Sequence, residues 1–274
     1  MEHLNIIDII QNNKEKISID KLLFEYYKKS NINITSFEDF KKDFLLKNNI
    51  NEYEYYTSNV NKEIKDYINL NIFPKYEKND KAHGIIHIKE VIRRAFALKY
   101  SLELDIDLNM LFVICAYHDL GKYIDHTIHE KIAADLFFKD KNMESFFALT
   151  DRIIIKEAIE DHRSSFNDTP RSIYGKLISS ADRNTSIEMV FIRSFFVAKS
   201  RMPEYKIEDY LEYTYLRLAK RYSEEKPENM FFEDNVYITF LNDMRKLLKN
   251  KEGFKNLYCE INKITNRNLL VRDY

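Results

Sequence analysis

Histidine and aspartate recur through the middle of this chain at spacings that could hold a metal ion. His87 precedes Val91, Ala95 and Leu98 at steps of four, four and three. Leu111, Ile114 and Cys115 lead to His118, seven residues after Leu111, and Asp119 follows directly. Ile155, Ala158 and Ile159 lead in the same way to His162, and Ile178 stands one turn before Asp182. On a helix these steps align each polar group with apolar, core-facing positions. An imidazole or carboxylate buried there without a partner costs several kcal/mol. Separately satisfied core histidines would explain each position singly. One divalent ion explains all of them, because imidazole nitrogen and carboxylate oxygen suit Zn, Mn, Fe, Co or Ni.

The elements that must position these groups are helices. Four Gly and four Pro in 274 residues leave few special turns. No stretch alternates as a strand would. The expected fold is all-α. Neighbouring residues on a regular helix point about 100° apart, so His118 and Asp119 can face one ion only if their helix distorts or ends there. Gly121 is positioned to allow that, and Gly84 and Gly175 also fall close to candidate ligands.

The ordered set His87, His118-Asp119 and Asp182, with gaps of 31 and 63 residues, resembles the HD superfamily of metal-dependent phosphohydrolases. Ala82-His83-Gly84-Ile85-Ile86-His87 resembles the HGxxH opening of bacterial members. His118-Asp119-Leu120-Gly121-Lys122 resembles a common form of the doublet, and Ser179 to Arg183 the final Asp motif. The resemblance spans roughly residues 80 to 200. It implies an HD-domain helical bundle with additional N-terminal and C-terminal helices. It also implies that His87, His118, Asp119 and Asp182 hold one divalent metal, of the set Mn, Co, Ni, Fe, Mg or Zn. His129 and His162 stand between doublet and final Asp, as candidates for a second metal or for phosphate binding. The GYP element of the cyclic-dinucleotide phosphodiesterases is absent.

The implied activity is hydrolysis of a phosphate ester by metal-activated water, with a nucleotide or related small phosphorylated molecule as substrate. Asp119 and Lys122 are the catalytic candidates. His83, Lys122, Arg163 and Arg183 are the candidates for binding substrate phosphate. His126 is a further polar candidate that reads more as an exposed turn residue, and Arg171 and Lys176 are secondary phosphate-binding choices that read more as structural. Two alternatives stay open: an HD-fold di-iron oxygenase, and a non-enzymatic HD-fold nucleotide sensor.

The formal net charge is −1, so no global field attracts polyanions and nucleic acid is not indicated as a partner. Cys115 and Cys259 offer neither a disulfide framework nor a thiolate metal site. The longest apolar run, Met110 to Tyr117, is too short to span a bilayer, and the opening residues lack a signal-peptide pattern. A cytoplasmic protein is expected, with an oligomer possible. Three regions are expected: short helices over 1–72 with no convergent polar set, the core over 73–205, and C-terminal helices over 206–274. The first could cap the core, form a dimer contact or dock a partner. Thr35 and Glu38 resemble a capping box, Phe73 to Asp80 reads as a connector, and residues 254–265 as a weak last helix.

Overall fold

The computed structural model describes residues 3–12, 16–29, 37–80, 83–163, 169–204, 206–224 and 230–271. Among them there are helices and no strands. The chain forms two compact units, residues 1–183 and 184–274.

In the first unit, α1 (His3–Asn12), α2 (Ile19–Lys29), α3 (Phe37–Lys47), α4 (Glu52–Thr57) and α5 (Lys62–Tyr67) precede the ligand-bearing helices. These are α6 (Ile85–Ser101), α7 (Leu108–Tyr117), α8 (His129–Phe138), α10 (Leu149–Asp161) and α11 (Ile173–Ala181), with the short α9 (Met143–Phe146) between α8 and α10. The apolar run from Met110 to Tyr117 is the centre of the unit: every residue in it is buried. A helix apolar on all sides must be enclosed, and α7 packs against α6, α8, α10 and α11. Its start is set by Asp107, whose carboxylate accepts the Asn109 and Met110 N–H groups. Ser172 caps α11 in the same manner through Gly175 N. Among the described residues no helix is long and apolar enough to cross a membrane.

The expected connector at 73–80 is instead helical as far as Lys78. α5 runs on through a π-turn (Ile68–Ile72) into a 3₁₀ turn (Phe73–Lys78). Pro74 is tolerated because it stands in the first turn, where its missing N–H is not needed. Tyr76 buries its ring there and donates its hydroxyl proton to the Ala116 carbonyl at 2.8 Å.

The N-terminal helices also hold what their sequence did not suggest, a convergent charged cluster. Asp20 on α2 accepts from Lys41 on α3 at 2.9 Å and from Arg93 on α6 at 3.2 Å. Arg94 reaches the same carboxylate at 3.4 Å, and Glu52 on α4 accepts from Arg93 at 3.2 Å. All five side chains are buried. The partners come from separate helices, so no local spacing announces them. The capping box at Thr35 falls outside the described residues.

In the second unit, α12 (Ile187–Arg201), α13 (Ile207–Arg221), α14 (Asn235–Lys249) and α15 (Lys251–Val271) share their own core. Phe191 and Phe195 of α12 lie in it with Tyr210, Phe240, Phe254 and Tyr258. This unit therefore begins at Asn184 rather than at residue 206, because the buried face of α12 is part of that core. The last helix starts at Lys251, earlier than expected, with Asn250 accepting the Gly253 N–H at its entry.

Candidate metal centre

Four candidate ligands sit at helix ends rather than in helix interiors. His118 is the C-cap of α7, His162 of α10 and Asp182 of α11, while His129 opens α8. His87 lies in the first turn of α6. His87, His118, His129, His162 and Asp119 are buried, and Asp182 is partly exposed. Helix C-termini carry partial negative charge from their unpaired carbonyls. Three of them converge here, which favours a cation.

Two of those ends also orient the rings. His118 Nδ1 donates to the Cys115 carbonyl at 2.8 Å, and His162 Nδ1 to the Ile159 carbonyl at 2.6 Å. His129 Nδ1 lies 3.1 Å from the His126 carbonyl. A carbonyl only accepts, so each Nδ1 carries the proton and each Nε2 presents a lone pair. One hydrogen bond thus satisfies a last-turn carbonyl and sets a tautomer.

The Nε2 atoms gather around Asp119, which is fully buried. Asp119 Oδ1 lies 3.2 Å from His129 Nε2 and 3.7 Å from His162 Nε2. Its Oδ2 lies 3.6 Å from His87 Nε2 and 3.7 Å from His118 Nε2. Asp182 Oδ1 closes the second side, 3.1 Å from His87 Nε2 and 3.9 Å from His118 Nε2. Three overlapping groups could hold an ion: His87, His118 and Asp119; His118, His162 and Asp182; and Asp119, His129 and His162.

The donor chemistry fits a metal. His118 Nε2 is buried and makes no hydrogen bond. His129 and His162 bring their Nε2 atoms to 3.2 Å, a separation that either a proton on one ring or a shared cation can bridge. Two nitrogens on one ion, with bonds of about 2.1 Å at 90–110°, stand about 3.0–3.4 Å apart. The observed separation falls in that range.

The electrostatics agree. Burial pushes His118 down to about 4, against the pull of Asp119, so its imidazole is neutral near pH 7. Burial also opposes a charged His162, yet the Asp119 hydrogen bond and charge outweigh it and raise its pKa. Burial would raise Asp119, but His118, His129, His162 and His87 together hold it well below the carboxylate range. His87 and His118 likewise lower Asp182 despite its desolvation.

The cations divide. Lys122 donates to both Asp119 oxygens, at 3.1 and 3.2 Å. The His83 ring stands 5.8 Å from the His87 ring, with its Nδ1 2.8 Å from Asp80. Arg163 is turned to the start of α8: it donates to the Thr127 carbonyl at 2.6 Å and approaches Glu130 at 3.5 Å. Adjacent residues do not share a helix face, which is why Arg163 does not follow His162 inward. Arg183 is half-buried beside Asp182. His126 is exposed and contributes its carbonyl. Arg171 is structural, clamping the buried Asp161 carboxylate through its backbone N–H at 2.7 Å and its guanidinium at 2.7 Å. Asp161 was passed over in the sequence, although a carboxylate one residue before His162 and in line with buried Ala158 carried the same oddity as the ligands.

Gly121 does not adopt a left-handed backbone conformation. Its role is space: a Cβ there would lie 2.7 Å from the His129 carbonyl and 2.8 Å from Ile132 Cβ. The absent side chain lets α8 bring His129 up to Asp119.

A family profile for the HD domain matches residues 84–186. No curated protein and no solved structure is significantly similar to the chain. The matched segment runs from the residue before α6 to the residue before α12 and contains every candidate ligand. Residues 84–186 of this chain therefore match the HD domain, and the match encloses the whole His/Asp cluster.

Proposed function

We propose that this protein is a divalent-metal-dependent phosphohydrolase acting on a small phosphate ester such as a nucleotide. The observation that carries the reading is Asp119, whose two oxygens face separate histidine pairs. His87, His118, Asp119 and Asp182 would hold one ion. Asp119, His129 and His162 would hold a second, with Asp119 shared between them. Bound there, divalent ions supply Lewis acidity and bring water towards ionisation near neutral pH.

The chain's own groups do the rest. The Nδ1 hydrogen bonds of His118, His129 and His162 fix the rings before any ligand arrives, so little reorganisation accompanies binding. Lys122 neutralises Asp119 and, 19% exposed, can turn its ammonium to a phosphoryl oxygen. Lys122→Ala is expected to lower kcat/KM on the order of 10²-fold while metal stoichiometry is retained. Steady-state kinetics with metal analysis of the same sample check both halves.

Metal uptake has a defined pH dependence. His162, its pKa raised, carries a proton in the metal-free protein up to a higher pH than an ordinary histidine. A metal must displace that proton. Affinity is therefore expected to fall about tenfold per pH unit on acidification through the His162 range. Neutral His118, titrating only near 4, adds nothing to that slope. Chelator competition between pH 8 and pH 5.5 measures it, and a flat profile would contradict the assignment of His162.

The functional test is a panel of phosphomonoesters and phosphodiesters, with Mn, Co, Ni, Fe, Mg and Zn added separately. Absence of turnover with every metal sinks the reading. A di-iron oxygenase is the second reading, favoured by the same paired donor groups. Two irons per chain with oxygen consumption would select it.

A further inference from the structure

In an uninterrupted helix the Tyr123 N–H would donate to the Asp119 carbonyl four residues earlier. Here a side chain takes the place of that bond. Asn79 Oδ1 accepts from Tyr123 N at 3.0 Å, and Asn79 Nδ2 donates to the Asp119 carbonyl at 3.1 Å. The same Nδ2 donates to the His83 carbonyl at 3.1 Å. The amide orientation is dictated by its partners, since an N–H needs an acceptor and the two carbonyls need a donor. Displaced from the regular ladder, the Asp119 carbonyl also takes the Lys122 N–H at 3.1 Å in a tighter turn.

Insertion of a side chain into the helical ladder is an established cause of a kink, and this one falls where the chain must depart from α7. His118 and Asp119 would otherwise diverge by about 100°, yet both reach the same donor cluster. Asn79 follows the 3₁₀ turn whose Tyr76 grips the Ala116 carbonyl. The α7 exit is therefore held at two points from one segment, on either side of His118. A link to the His83 carbonyl ties the segment leading into His87 to the same amide.

We propose that Asn79 is a positioning residue for the His118-Asp119 doublet, its carboxamide wedged into the helical bond between Asp119 and Tyr123 so that the Asp119 carboxylate turns into the imidazole cluster. The proposal rests on the metal-site reading given above. The asparagine carboxamide joins an acceptor and a donor on one short planar head, and glutamine would carry it one methylene too far.

The test uses Co(II) as the probe, with the full chain and the variants Asn79→Ala and Asn79→Asp. Aspartate is nearly isosteric and keeps the acceptor for Tyr123, but cannot donate to the Asp119 carbonyl. Both variants should bind cobalt about 10- to 100-fold more weakly by chelator competition, as loss of a ligand-orienting partner does. Both should shift the visible absorption band of the cobalt-loaded protein. Asn48→Ala, which removes a side-chain bond to the Phe44 carbonyl in α3, should lower the thermal midpoint and leave cobalt affinity and band unchanged. If Asn79→Ala binds cobalt as the parent does, with the same band, the proposal is overturned. Amide exchange of Tyr123 in the metal-free protein is read in parallel: it should accelerate in Asn79→Ala and stay protected in Asn79→Asp. A parent protein that takes up no cobalt sinks the functional reading instead. The exchange arm then decides the inference, with unchanged Tyr123 protection in Asn79→Ala overturning it and faster exchange supporting it.

Discussion

Asp119→Ala is expected to lose phosphohydrolase activity by on the order of 10³-fold or more in kcat/KM, together with metal binding. The carboxylate is the shared member of two donor groups, so its removal takes an oxygen from both. The variant should still fold. Lys122, the cationic partner of Asp119, is 19% exposed and can turn to water, so removing the carboxylate strands no fully buried ammonium. Thermal unfolding with and without metal separates the two effects. At a metal concentration 100-fold above its Kd the parent should gain about 2.7 kcal/mol, and the variant nothing. Activity surviving unchanged in Asp119→Ala would remove the basis of the functional reading.

The second large effect concerns stability. Asp20→Ala should destabilise the first unit by about 3–5 kcal/mol, the usual consequence of breaking a buried ion cluster from one side. The lost carboxylate leaves Lys41, Arg93 and Arg94 buried with Glu52 as their nearest buried counter-charge. The pH signature follows from the sign of the shift. Burial would raise Asp20, but Lys41, Arg93 and Arg94 bring it below its ordinary value. Its contribution is thus present above about pH 4, the unfolded value, and lost as the pH falls towards the folded one. Glu52 runs the other way: burial raises it despite Arg93 and Lys41, so its contribution is present at low pH and lost as the pH rises. Denaturant titrations from pH 7 to pH 3 should show the parent losing its advantage over Asp20→Ala on the acid side. A constant gap would contradict the cluster's charge state.

The helical class, the central apolar run and the candidate ligands were readable because each leaves a local mark: few glycines, a fully apolar helix, polar residues in line with apolar ones. What escaped the sequence depends on partners far along the chain. Asp20 meets Arg93 across 73 residues, and no periodicity in either segment records it. The ring-orienting bonds of His118 and His162 go to backbone carbonyls, which every residue owns, so residue type gives no sign of them. Gly121 was noticed for the right reason of place and the wrong one of physics, since what matters there is contact with α8 rather than an unusual backbone angle. Arg163 shows the limit of adjacency: following His162 in sequence puts its guanidinium on Thr127 and Glu130. Asn79 lay in a segment that read as a plain connector.

The three helix ends that meet at the cluster carry a consequence for the order of events. Their carbonyls, with Asp119 and Asp182, surround the imidazole cluster with negative charge that disfavours an anion. Under the proposed function, a phosphate ester approaching the metal-free protein would meet like charge, offset locally by Lys122. Once a divalent cation is seated, the same cluster turns attractive. On the phosphohydrolase reading proposed above, the expected order of arrival is cation before phosphate, with the supply of metal gating substrate recognition as well as chemistry.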